Sequence, residues 1–461
     1  RAFAGSLHGA GAGGRSGRGS HAAAVSGARQ QLLDLYCAAI AGANVESLTA
    51  NAVAAIPLER RHRVWVFAFG KAAHAMARSA VSTLERSLAE IAGGLVVAPE
   101  SGEPPCGTVP AMTGDHPVPG RRSFAAAARV GELLAQKRGM DLGVVLVSGG
   151  ATSLIAAPLR GMSESDLSLV YERILAAGLD IHEMNAIRKR FSRWAAGRLA
   201  LALAPARSYC LAVSDVPGDD LASIGSGPCV PDPTRVQSVA RALERVDLLS
   251  TLPSAFRLYL QDTARGVVPE TPKASHPAFA HMTARVIANN STALDAAALA
   301  AKRAGYETLV RSAPLIGEAA GAGEHVARDL MALRATARPG SVHCRIYGGE
   351  TTVTLRGPAP AGGRCQELAL SAARQLATAG DAALGVTILA AGTDGRDGPT
   401  DAAGAIVDAA TWQTIAAAGR DPEASLRAHE SYDALAAADA LIRPGVTGTN
   451  VMDITIGLVR A

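Results

Sequence analysis

A chain of 461 residues is long enough for two or three domains of about 150 residues each, which excludes a small scaffold held together by disulfides or a structural metal. Its 45 Lys plus Arg against 41 Asp plus Glu leave a net charge of only +4, part of it near the N-terminus, so no basic groove for nucleic acid is indicated. Hydrophobic residues make up 48% of the chain and aromatics 4%, so the interior is expected to be built from Ala, Val, Leu and Ile.

Residues 1–27 combine Gly, Ala, Ser and Arg without a hydrophobic period and are expected to form a disordered leader. Their Arg content and lack of acids leave an organelle transit peptide as a second reading. No run of about 18 apolar residues follows, so no membrane-spanning helix is expected. The six cysteines are scattered, with no C-x-x-C and no zinc-ligand spacing, which fits reduced thiols in the cytoplasm.

Beyond the leader, short apolar β-rich runs alternate with longer helical patterns. Strands are expected at 64–70, 94–99, 142–150, 209–215, 342–349, 352–357 and 386–395. Most are near-continuous apolar runs, as required when helices cover both faces of a parallel sheet. Between them, Leu167, Val170, Tyr171, Ile174 and Leu175 mark one face of a helix, with Ser163 and Asp166 as its capping box. The grammar is that of a doubly wound α/β fold, whose ligands lie beyond the carboxyl ends of the strands. A Pro-rich, polar stretch within 248–285 is the expected seam between domains.

The strand ends hold the chemistry. Gly70 and Lys71 follow the first strand, where the lysine is either a phosphate contact or a solvated helix-start residue; the Walker A pattern is absent. Ser148, Gly149, Gly150, Thr152 and Ser153 separate a buried strand from an apolar helix and suit an anion cradle, or simply a capped turn. Asp215, Asp219 and Asp220 lie close in sequence to a second small-residue loop, Gly225, Ser226 and Gly227. Such carboxylates suit Mg2+, although Asp also stabilises turns unaided. Further on come Glu350, Arg364, the acidic loop Asp394, Asp397 and Asp401, and Thr447, Thr449 and Asn450. An acid, a guanidinium, an acidic loop and an amide at strand ends are the parts of a phosphoryl-transfer site.

The stretches FGKAAHAMA, DHPVPG, VSGGATSL, NAIRKRFSRWAAGRLA, SDVPGDD, GSGP, GGETTVTLRG, GGRCQE, AGTDGRDGPTDAAGAIVD and TGTNVMD stand in the order found in the glycerate 2-kinase family, which the chain resembles from about residue 30 onward. The resemblance implies a Rossmann-like N-terminal domain (28–265), connecting elements (266–340) and a smaller α/β C-terminal MOFRL domain (341–461), with the active site in the cleft. It implies ATP and Mg2+ as cofactors, glycerate as the small-molecule partner and 2-phosphoglycerate as product. No nucleic-acid or membrane partner is implied, and a homodimer is a possible assembly. The family's active-site residues fall on Lys71, Arg364, Asp394 and Asn450; the loop from Ser148 to Ser153 and Gly225 to Gly227 becomes the nucleotide side, and Asp215 with Glu350 the metal side. Asn185, Arg188 and Lys189 belong to another family block, read either as anion contacts or as helix-surface charge.

Ala151, Thr152, Trp194 to Ala196, Cys365 and Met452 depart from the family pattern, so a related hydroxy acid is an alternative substrate and a catalytically impaired binding protein another outcome. A hydroxypyruvate reductase, the name some bacterial relatives carry, is the rival chemistry. It requires a dinucleotide fingerprint after a strand, and the only G-x-G-x-x-G lies at Gly9 to Gly14, inside the leader.

Overall fold

A computed structural model describes residues 18–461 except 60, 61, 356, 358 and 359, with side chains from residue 27 onward. Residues 1–17 of the expected leader lie outside the described residues, and its last ten residues open a helix, Arg18–Gly42.

The first sheet comprises β1 (Arg63–Phe69), β2 (Glu90–Ala98), β3 (Ala111–Thr113), β4 (Leu142–Val147), β5 (Ser208–Val213) and β6 (Met282–Ala288). All its pairings are parallel, in the order β3-β2-β1-β4-β5-β6. This is the doubly wound order, and it reverses between β1 and β4, where ligands of such sheets bind. β1 illustrates why the sequence folds this way. Trp65, Phe67 and Phe69 face one core and Val64, Val66 and Ala68 the other, so both faces are buried. Helix Ala73–Arg86 covers the second face and helix Arg121–Leu134 the first. Each large side chain so buried contributes roughly 1.5–3 kcal/mol.

The second sheet comprises β7 (Glu307–Val310), β8 (Val342–Gly349), β9 (Val386–Gly392), β10 (Gly404–Asp408), β11 (Leu441–Ile442) and β12 (Asp453–Arg460), in the order β11-β10-β9-β12-β8-β7. Only β7 and β8 run parallel; the other pairs are antiparallel. Helices Ala319–Thr336 and Arg364–Ala379 pack together on one face, closely enough that a Cβ on Gly323 would lie 2.2 Å from the Leu368 carbonyl. The other face carries helix Asn290–Arg303 and, against it, the first helix of the chain. Gly42 permits that contact, since its Cβ would lie 2.1 Å from Ala296 Cβ. Tyr36 Oη donates to the Gly392 carbonyl at 2.7 Å, and Arg460 Nη2 donates to Gln31 Oε1 at 2.5 Å.

Several expectations change here. The N-terminal helix packs on the second sheet, so the chain crosses between the two units. Residues 266–340 hold β6, helix Asn290–Arg303, β7 and helix Ala319–Thr336, and the passage from the first sheet to the second comes after β6. Among the described residues of 352–357 no strand forms; Thr352 makes an isolated bridge, with Glu318. Helix Glu164–Ala176 has Ser163 accepting from the Asp166 N–H at 3.0 Å and buries Leu167, Val170, Tyr171 and Ile174, whereas Leu175 is exposed. Among the described residues, no helix is long and apolar enough to cross a membrane.

Candidate active site

The strand ends of both units border a cleft of about 730 Å³. On the first wall the turns after β1 and β4 interlock. The Lys71 N–H donates to the Gly149 carbonyl at 2.9 Å and the Ala72 N–H to Ser148 Oγ at 3.0 Å. Gly70, at φ +122°, is required there, because a Cβ would sit 2.2 Å from Ser148 Oγ. Gly149 is equally constrained: its Cβ would lie 1.9 Å from Asp215 Oδ2, so the missing side chain makes room for the carboxylate. Gly150 at φ +85° lies close to both Lys71 and His116. Ser153 Oγ and His116 Nδ1 are 2.9 Å apart, and Thr152 Oγ1 is 2.9 Å from Ser226 Oγ.

The second wall is an ion cluster. Arg364, the first residue of its helix, donates to Asp453 from Nε at 2.5 Å and from Nη2 at 2.9 Å, while its Nη1 lies 3.0 Å from Glu350 Oε1. Burial pushes the Glu350 pKa up; Arg364 offsets this, Asp453 and Asp215 add to it, and Lys71 also offsets it. Burial likewise raises Asp215, with Lys71 opposing. Asp453 is raised by burial against the pull of Arg364. Asp215 on one wall and Glu350 and Arg364 on the other thus border the same cleft, with Lys71 beside it. Two carboxylates in that setting suit Mg2+, which takes one or two protein carboxylates and keeps several waters. No cluster of three or more His, Cys, Asp or Glu side chains suited to a metal exists among the described residues.

The expected site residues thus divide. Gly149, Gly150, Thr152, Ser153, Asp215, Gly225, Glu350 and Arg364 border the cleft, and Lys71 adjoins it beside Gly150. Ser148 does not, because its hydroxyl is turned to the β1 turn. Ser226 and Gly227 lie behind, with Ser226 bonded to Thr152 and their carbonyls accepting from the Ala196 and Gly197 N–H groups. Asp219 and Asp220 are engaged locally, by Asn289 Nδ2 and by Ser223 Oγ respectively. Asp394 and Asn450, both half-buried, do not border the cleft but lie close to Gly392 and Met452 near the second wall. A Cβ on Gly392 would be 3.1 Å from Asp394 Oδ1 and 3.6 Å from Asp453 Oδ1, and Asn450 Oδ1 accepts from the Met452 N–H at 3.4 Å. Asp397, by contrast, borders the cleft while accepting from the Gln366 N–H at 2.8 Å at the start of the Arg364 helix. Asp401 pairs with Tyr432 and Arg443 at the surface.

Two residues of the cleft, and one buried behind its second wall, carry more than their motifs announced. His116 stands beside Lys71 and Arg188, and burial together with these two cations lowers its pKa. Asp453 has no signal beyond the acid that ends TGTNVMD; its role depends on Arg364, 89 positions away. Glu367 pairs with His429, Oε2 to Nδ1 at 2.8 Å, at the rim. The residues that depart from the family pattern mostly point inward. Trp194 donates to the Ala127 carbonyl, and Cys365 and Met452 are buried.

A family model described as a domain of unknown function (DUF4147) matches residues 31–261, and the MOFRL family model matches residues 343–453. A glycerate 2-kinase of Pyrococcus horikoshii is 36% identical over 402 residues, spanning 87% of this chain and 88% of the relative. A relative from Agrobacterium vitis, 36% identical over 438 residues and 94% of each chain, bears the provisional name hydroxypyruvate reductase. The crystal structure of a glycerate kinase from Thermotoga maritima superposes with a TM-score of 0.82 at 33% identity, covering 94% of this chain and 100% of the other.

Proposed function

Since the chain belongs to the glycerate kinase family that joins a DUF4147 domain to a MOFRL domain, we propose that it transfers the γ-phosphoryl group of ATP to the 2-hydroxyl of glycerate in this cleft. The observation that carries the reading is that Asp215, Glu350 and Arg364 border one cleft between the two sheets, with Lys71 beside it at Gly150. Asp215 and Glu350 are the residues that would hold Mg2+, and the ion would supply charge neutralisation for the phosphate oxygens. Lys71, exposed at the strand end, stabilises the transferring phosphoryl group.

Arg364 has its three nitrogens committed to two acids. It therefore acts first as a positioning residue that fixes Glu350, with Asp453 beneath it and Asp394 and Asn450 supporting the loop. His116, whose pKa is lowered by burial and then by Lys71 and Arg188, borders the cleft and is an imidazole within it that could meet the acceptor hydroxyl. A reductase finds no support at the switch point, because β1 runs into Gly70, Lys71, Ala72 and Ala73 without a dinucleotide fingerprint.

Parallel assays separate the two chemistries. ATP consumption with glycerate and no NADH oxidation with hydroxypyruvate is expected; the reverse pattern would overturn the reading.

A further inference from the structure

Helix Ile181–Phe191 carries three consecutive cations, Arg188, Lys189 and Arg190, and the fold treats them differently. Lys189 pairs with Asp232 at 2.8 Å, both side chains being buried. Arg190 is fully buried and paired with Glu270. Arg188, 9% exposed, borders the cleft, and among the described residues neither its Nε nor its Nη2 has a hydrogen-bond partner. It lies over the Tyr171 ring at 5.5 Å. A buried guanidinium without an acceptor is costly, and among the described residues no carboxylate pairs with it.

We infer that Arg188 anchors the carboxylate of the acceptor substrate and so selects which hydroxyl is phosphorylated; this rests on reading the cleft as a hydroxy-acid kinase site. A guanidinium donates two parallel bonds to the two oxygens of one carboxylate. Asn185, one turn earlier on the same helix, also borders the cleft, and His116 stands close by, so donors converge there. Burial and the stacked Tyr171 hold the Arg188 head in place, which suits a group that stays still during the reaction. Lys71 is exposed and suits the group that moves. The Lys71 N–H donates to the Gly149 carbonyl, and Gly149 abuts the Asp215 carboxylate, so Lys71 and Asp215 stand on neighbouring turns of the first wall. That places the phosphates on the Lys71 side and leaves Arg188 for the acceptor. With the carboxylate fixed, the hydroxyl on the adjacent carbon is presented, and the terminal one lies a bond further away.

The test compares glycerate with its uncharged amide as acceptors for the full-length protein and for Arg188→Met and Arg188→Lys. In the parent protein, kcat/KM should favour glycerate over the amide by about 10²-fold or more. Arg188→Met should raise the glycerate KM about 10²-fold, leave the ATP KM unchanged and bring the two acceptors within a few-fold of each other. Arg188→Lys keeps the charge without the planar fork. It guards against a folding defect, and should raise the glycerate KM about tenfold and release some 3-phosphoglycerate. A rise in the ATP KM with acceptor preference intact would assign Arg188 to the nucleotide and overturn the inference. An unchanged preference in folded, active variants would make it a structural residue. A parent protein that does not phosphorylate glycerate overturns the functional reading, and the anchor with it.

Discussion

Replacing Asp453 with Asn probes whether the second wall is held by charge. The carboxylate accepts two bonds from Arg364, at 2.5 and 2.9 Å, and its side chain is 11% exposed. An amide of the same shape keeps at most one of them, because its other arm is a donor that would face the guanidinium. Removing one partner of a buried ion pair costs about 3–5 kcal/mol. Two features reduce that figure here: Arg364 retains Glu350 at 3.0 Å, and its side chain is 35% exposed. The burial that disfavours the Asp453 charge is also relieved. The expected net loss is about 2 kcal/mol at neutral pH. For a unit of this size 1 kcal/mol moves Tm by about 2–4 °C, so calorimetry should record a fall of about 4–8 °C. Arg364, no longer fixed on two sides, should misplace Glu350 and lower kcat about tenfold or more. An Asp453→Asn protein with the Tm and kcat of the parent would refute the reasoning.

Lys71→Ala should lower kcat by about 10²-fold or more while leaving the melting transition unchanged, since the side chain is exposed; near-normal phosphorylation would remove it from the mechanism. Lys189→Met should instead lower stability by about 3–5 kcal/mol in urea titrations by stranding buried Asp232, with turnover per folded molecule retained. Asp397 has its pKa raised by burial to about 6, so the folded state holds that proton more tightly than the unfolded chain. Its contribution to stability is therefore greatest below its unfolded pKa and is lost as pH rises through about 6. The Tm of Asp397→Asn relative to the parent should be higher at about pH 7.5 than at about pH 5, and the opposite trend would contradict this. Because Asp215 and Glu350 are both raised, activity should fail on the acid side above the ordinary carboxylate range, and excess Mg2+ should move that limb to lower pH by competing with protons.

Much of the first sheet was legible because its central strands are unbroken apolar runs ending in Gly or Ser. β6 was not: it is an edge strand with alternating exposure, next to a Pro-rich stretch that reads as a linker. β12 was hidden for a different reason. Its Gly457 interrupts the apolar run, yet is needed because a Cβ there would lie 2.4 Å from Leu330 Cδ1. The apolar stripe of the first helix, Leu32, Leu35, Tyr36 and Ala39, says that it packs but not on which sheet. In the cleft, Lys71, Asp215, Glu350 and Arg364 are visible as charged residues at strand ends. Which hydroxyls face inward is not visible: Ser148 and Ser226 look like Ser153 in sequence, but their partners come from other turns. The contrast among Arg188, Lys189 and Arg190 is likewise set by Asp232 and Glu270, far along the chain.

The central claim is phosphoryl transfer to the 2-hydroxyl. Phosphorus NMR of the product formed from ATP, Mg2+ and glycerate tests it most directly. The account predicts 2-phosphoglycerate and ADP in equal amounts; 3-phosphoglycerate, or no phosphorylated glycerate at all, would contradict it.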